Sequence, residues 1–219
     1  MPRQIVKFPL KDVALRDDVH ALGDLLGEVI IEQGGQGLFD LVEGDRQAAL
    51  NRRDGDNVDE IVFRTRGREA NQARDLVRAF STWFQMVNMA EKVHRIRRRR
   101  QYLNEGAGGQ PGGIDEAFLK LKNHGLSFEE VKKLLQEIWI EPVMTAHPTE
   151  SKRRTILRKQ KVVAELLLSR LDLPSNSNEA RVNWERVRAE VTTGWQTADN
   201  SRHKLTIADE REHVLFFVV

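Results

Sequence analysis

The sequence predicts a predominantly α-helical α/β chain, on three observations. Apolar residues recur at helical spacing through most of its 219 residues. One short run, "IWIEPVMT" (Ile138 to Thr145), has the β-branched and aromatic content of a strand. The two meet at a strand, turn, helix junction around His147.

In chain order, the first helix is carried by Leu22, Leu25, Leu26, Val29 and Ile30, which share one face between Ala21 and Glu32. The Gly34-Gly35 pair breaks it, and "QGLFDLVEGDRQAALNRR" makes a second. The longest periodic run extends from Asn71 to about Leu103, with Leu76, Phe80, Trp83, Phe84, Val87, Ala90 and Val93 as its apolar stripe. "EGAGGQPGG", Glu105 to Gly113, has too little apolar surface to order and reads as a flexible loop. It does not match G-x-G-x-x-G and follows a helix, which argues against a phosphate loop. A helix resumes at Ile114. Another begins at Ser127, with Glu130 placed to complete a capping box, and runs to about Ile138.

The strand candidate follows. A helix from about Ser151 to Leu171 comes next, then the loop "DLPSNSN", then a helix from Glu179 with Val187, Val191 and Trp195 along one side. Thr206 reads as a cap with Asp209 three residues on. The closing "HVLFFVV" carries no helix terminator and is apolar, so we expect a truncated chain whose partner surface lies in further sequence.

Composition narrows the function. There are no cysteines, which removes disulfides, thiolate metal sites and cysteine nucleophiles. The amino terminus lacks a signal-peptide core, and no stretch approaches the ~18 apolar residues of a membrane span, so a cytoplasmic protein without a membrane partner is expected. With 35 basic residues against 33 acidic ones the formal charge is only +2, and the chain as a whole is no polycation.

The chemistry concentrates in "VMTAHPTESKRR", Val143 to Arg154. Pro148 pushes His147 into extended backbone and cannot donate to a ladder, so the strand ends there. Thr149 is a plausible helix cap, with Glu150 in the first turn where the macrodipole favours a negative charge. The helix start offers backbone donors, and Lys152, Arg153 and Arg154 add positive charge, a combination suited to phosphate or carboxylate. A histidine there can exchange protons with an anionic substrate. Spacing alone equally allows a turn with a satisfied imidazole and solvated cations.

"TAHPTESKRRT", Thr145 to Thr155, closely resembles the histidine signature of the phosphoenolpyruvate carboxylase family, T-A-H-P-T-[EQ] followed by paired arginines. Three further blocks resemble that family in the same order: "LRDDVHALGDLLGEVIIEQGGQGLFDLVE", "AFSTWFQMVNMAEKVHRIRRRR", and "GWQT" as part of W-Q-T-D-E. The last departs from the pattern, with Ala198 at the first acidic place and Leu205 where a proline is usual.

The resemblance implies the amino-terminal part of a TIM-like β/α barrel with many extra helices. Residues 1–104 would form an amino-terminal helical region, 105–113 the glycine-rich loop, and 114–219 the start of the barrel, with the strand before His147 as its first. It implies an enzyme, a carbon-carbon lyase, joining phosphoenolpyruvate to bicarbonate to give oxaloacetate and phosphate, with Mg2+ or Mn2+ and without biotin. This is the anaplerotic fixation that feeds the tricarboxylic acid cycle. His147 would be the catalytic residue that handles the carboxyphosphate proton, so that carbon dioxide is released beside the enolate. Arg153 and Arg154 would contact an anion or effector. The family's metal ligands lie downstream of the region that this chain resembles, so no metal ligand is expected here. Family members are usually homotetramers, and this fragment alone is expected to be inactive.

Two other readings compete. One is a non-catalytic helical interaction module. The other is a nucleic-acid binder through Arg95 to Arg100, disfavoured because the run is followed by no aromatic platform beyond Tyr102.

Overall fold

The computed structural model describes residues 9–54, 58–105, 111–141, 153–198 and 206–218. Every regular element among them is helical. After a short 3-10 turn at Leu10–Asp12 come α1 (Val13–Gly34), α2 (Gln36–Asp54), α3 (Val58–Thr65) and α4 (Ala70–Glu105). They are followed by α5 (Ile114–Asn123), α6 (Phe128–Glu137), α7 (Arg154–Ser169), a 3-10 turn at Arg170–Asp172, α8 (Asn178–Trp195) and α9 (Ile207–Val218). They divide between two compact units, Met1–His94 with Lys152–Asn200, and Arg95–Ser151 with Ser201–Val219.

The first unit closes a core of its own. Leu22, Leu25, Leu26, Val29 and Ile30 of α1, all buried, meet Met86, Met89, Ala90 and Val93 of α4 in one cluster. Val163, Leu166 and Leu167 of α7 and Val187, Val191 and Trp195 of α8 complete it. Each set repeats every three to four residues, so each helix contributes one stripe to a shared interior. Gly35 ends α1 at φ 81°, a left-handed conformation that a side chain would resist, while its N–H closes onto the Ile31 carbonyl at 2.9 Å.

Polar contacts fix the periphery of this unit. Asp45 on α2 accepts from Arg64 Nε at 2.9 Å and from both terminal nitrogens of Arg68, tying α2 to α3 and to the turn before α4. Burial pushes the Asp45 carboxyl upward, but the hydrogen bonds and charges of Arg68 and Arg64 outweigh it and hold the group below the ordinary carboxylate range. Asn183, buried on α8, donates to the Leu166 carbonyl at 3.1 Å and to Ser169 Oγ at 2.9 Å. It thereby satisfies a carbonyl at the end of α7.

In the second unit the caps are well made. Glu130 accepts from the Ser127 N–H at 2.8 Å while its own N–H reaches Ser127 Oγ at 3.4 Å, the expected capping box. Those bonds from Ser127 hold the Glu130 carboxyl below its usual range. Thr206 and Asp209 make the same reciprocal pair at the start of α9, at 2.8 and 3.3 Å. Gly125, at φ 80°, ends α5 in a Schellman turn, with the Leu126 N–H on the Leu121 carbonyl and the Gly125 N–H on that of Lys122. Neither α5 nor α6 buries a residue.

Three expectations change. Ile138 to Glu141, the described part of the strand candidate, forms no strand. Ile138 is extended, but no ladder is made among the described residues. Residues 142–145 lie outside them. On α4 the buried stripe includes Met86 and Met89, whereas Phe84 is 62% exposed. Phe84 sits about 200° round the helix from Met86, so packing Met86 inward turns it out. The helix expected from Ser151 begins at Arg154, because Arg153, at ψ 137°, is outside helical geometry. The helix α3 was not singled out from sequence, although Val58, Ile61 and Val62 have helical spacing and Asp59 and Glu60 acidify its first turn.

Candidate functional site

His147 lies outside the described residues, as do Pro148, Thr149, Glu150, Lys152 and Leu205. Arg153, Arg154 and Ala198 lie within them. What the structure places is therefore the helix that follows the histidine motif and the helix end that faces it.

The helices α7 and α8 form an antiparallel pair, read directly from their contacts. Leu166 meets Asn183, Lys159 meets Glu190 and Thr193, and Arg153 meets Ala198, so one index rises as the other falls. Lys159 Nζ lies 3.2 Å from Glu190 Oε2 and 2.6 Å from Thr193 Oγ1. This registration sets the start of α7 beside the end of α8, where Arg153 Nη1 donates to the Ala198 carbonyl at 3.4 Å.

The segment "WQT" is the anchor of that end. Trp195 is buried in the core, and the Arg78 guanidinium lies 5.6 Å over its ring. Gln196 Nε2 donates to Gln33 Oε1 at 2.8 Å, joining the ends of α8 and α1. The Thr197 hydroxyl turns back onto the Thr193 carbonyl at 2.7 Å. Gln33 and Arg78 were not picked out from the sequence. Long-range partners of this kind have no local signal, since Gln33 and Gln196 are separated by 163 positions.

Basic residues open α7. Arg153 is the cap residue and makes no side-chain cap bond, Arg154 opens the helix, and the first turn holds no acidic residue. Cations at the positive end of a helix dipole cost roughly 0.3–1 kcal/mol each. An anion placed there relieves both the dipole and the arginines. Both side chains are exposed.

The cavity beside the α7–α8 pair is too small for a phosphorylated substrate. The space between α4, α7 and α8, lined by Met86, Ile156, Lys159 and Gln160, is about 40 Å³, room for a water or a few. Among the described residues no three His, Cys, Asp or Glu side chains come together to hold a metal ion, so these residues do not fit one. No helix among them is long and apolar enough to cross a membrane. The arginine run is partly consumed locally: Arg98 stacks 4.7 Å over the Tyr102 ring and donates to its hydroxyl at 2.7 Å.

Comparison with known proteins bears on the whole of this. The sequence model described as phosphoenolpyruvate carboxylase matches residues 15–219. The chain is similar to the phosphoenolpyruvate carboxylase of Xanthomonas oryzae pv. oryzae, 43% identical over 218 residues, which cover 99% of this chain and 24% of the relative. It is 40% identical over 212 residues to that of Ralstonia nicotianae, covering 94% and 21%. To that of Azorhizobium caulinodans it is 34% identical over 212 residues, covering 95% and 23%. The chain thus spans about a quarter of the length of the curated relatives it matches. With the family model matched across the histidine motif, the paired arginines and the segment that anchors them, this chain belongs to the phosphoenolpyruvate carboxylase family.

Proposed function

We propose that this chain supplies the amino-terminal, histidine-bearing part of an enzyme that carboxylates phosphoenolpyruvate with bicarbonate, giving oxaloacetate and phosphate. The observation that carries this reading is the family match over residues 15–219, a range that includes the histidine motif. In this reading the chain is part of a lyase that works in the cytoplasm as a homotetramer, and the remainder of the enzyme completes the TIM-like barrel. Residues 1–104 form the helical region, 105–113 a connecting loop, and 114–219 the barrel's beginning.

His147 takes the proton-handling role. An imidazole that titrates near neutrality can accept the carboxyphosphate proton at one ring nitrogen and hold the departing carbon dioxide near the enolate. Covalent reach limits its distance from the cations: Arg153 lies six positions on, a span of at most ~22 Å. Arg153 and Arg154 take the anion role, supported by their exposed position at the start of α7, whose first turn holds no acidic residue. Mg2+ or Mn2+ bound by the remainder of the enzyme would supply positive charge for the enolate. Its ligands belong to the remainder, and biotin has no part.

The test joins this chain to the rest of the Xanthomonas oryzae relative and follows oxaloacetate formation by a coupled assay. Bicarbonate-dependent turnover of phosphoenolpyruvate is expected from the joined protein, and none from the 219-residue chain alone. A folded joined protein without that turnover contradicts the reading.

A further inference from the structure

Apolar surface is unevenly distributed between the two units. The first unit buries sixteen side chains in one cluster, whereas α5 and α6 bury none. Their helices are nonetheless apolar on one side. Phe118, Leu126, Phe128, Val131 and Leu135 line an open groove of about 640 Å³ between them. Phe128 is 77% exposed, and Trp139 and Ile140, just beyond α6, are each 85% exposed. Aromatic side chains present about 150–250 Å² each, so Phe118, Phe128 and Trp139 together leave roughly 400 Å² of ring surface uncovered. That area is on the scale of the largest apolar patch of an ordinary monomer, which is often functional.

We infer that the α5–α6 groove, with the Ile138–Ile140 segment after it, is the seat on which the remaining three quarters of a carboxylase-length polypeptide docks. The inference rests on the reading of this chain as one portion of such an enzyme. Two facts favour that occupant over a second copy. The relatives carry the matched region within chains about four times as long, and a tethered segment acts at an effective concentration near millimolar, which a separate molecule does not reach. The groove floor is apolar, with Lys122 and Lys132 at its edge, so the docking element presents an apolar face with acidic flanks.

The chain has no cysteine, which makes thiol footprinting clean. Phe128→Cys and Trp139→Cys are introduced separately into the 219-residue chain and into the protein joined to the rest of the Xanthomonas relative. Maleimide labelling at each site is followed by peptide mass mapping and normalised to the urea-unfolded protein. Labelling at least about tenfold slower in the joined protein, with fast labelling in the short chain at all concentrations, is expected. Equal labelling in both proteins overturns the proposal. Protection of the short chain that grows with its concentration also overturns it, in favour of a second copy. Should the joined protein not fold, cysteine at the aligned positions of the intact relative gives the same comparison. Oxaloacetate formation is read separately: a protected but inactive joined protein leaves the docking seat standing and removes the catalytic reading.

Discussion

Arg153 Nη1 donates to the Ala198 carbonyl at 3.4 Å, across 45 positions of sequence. That contact sets the first arginine of the "KRR" run beside the place where the W-Q-T-D-E pattern has a carboxylate and this chain has a methyl group. At that place Arg153 meets a backbone carbonyl and no side-chain carboxylate of residue 198. Ala198→Asp is expected to pair with Arg153 and lower the affinity of the chain for inorganic phosphate. Arg153→Ala is expected to lower it by about tenfold, the value of one charge-assisted hydrogen bond of about 1.5 kcal/mol. Phosphate titration followed by NMR of the α7 amides measures both.

The core of the first unit gives a sharper contrast. Leu22 is 1% exposed and Phe84 62% exposed. Leu22→Ala is expected to destabilise by about 2–5 kcal/mol, through lost burial and the cavity left behind. Phe84→Ala should change stability by less than about 0.5 kcal/mol. Urea melts monitored by far-ultraviolet circular dichroism separate the two.

How much could be read in advance follows from the same residues. The α1 stripe was legible because Leu22, Leu25, Leu26, Val29 and Ile30 recur at helical spacing on one face among polar neighbours, and all five are buried. The caps at Ser127 and Thr206 were legible because a capping box is a local device, complete within four residues. On α4 apolar residues occur on more than one side, so its buried face is decided by α1, α7 and α8 rather than by its own spacing. The strand reading of Ile138 to Glu141 rested on composition, and strand pairing is a long-range property that composition does not carry. At the site, Arg153 and Arg154 were legible as cations, while the Gln33 to Gln196 link that fixes the neighbouring helix end has no local signature.

The Asp45 clasp predicts an acid dependence. Its folded carboxyl is depressed below its ordinary value by Arg68 and Arg64, so the unfolded chain takes up the proton first as pH falls. The stabilisation is fully present above the ordinary aspartate pKa of about 3.9 and is lost as pH drops through the lower folded value. Asp45→Asn is expected to cost about 1–3 kcal/mol at pH 7, since it leaves Arg68 partly buried without its carboxylate. It should also flatten the fall in stability of wild type below pH 4. Urea midpoints across pH 2–7 check the sign.

Asn183 should matter more than its single position suggests. It holds the last turn of α7 through the Leu166 carbonyl and Ser169. Asn183→Leu leaves that carbonyl with one donor fewer and is expected to cost about 1–3 kcal/mol. Hydrogen exchange should then rise at Ser169 to Asp172 before it rises at the α7 start, and uniform loss of protection along α7 would argue against this local role.

The central claim, that His147 carries the proton step of carboxylation, is tested most directly by bicarbonate-dependent oxaloacetate formation in the joined full-length protein and its His147→Ala variant. The expected result is a loss of about 10²–10⁴ in kcat with circular dichroism and phosphoenolpyruvate binding unchanged. Turnover by His147→Ala within about twofold of the parent, against that expected loss, would contradict the claim.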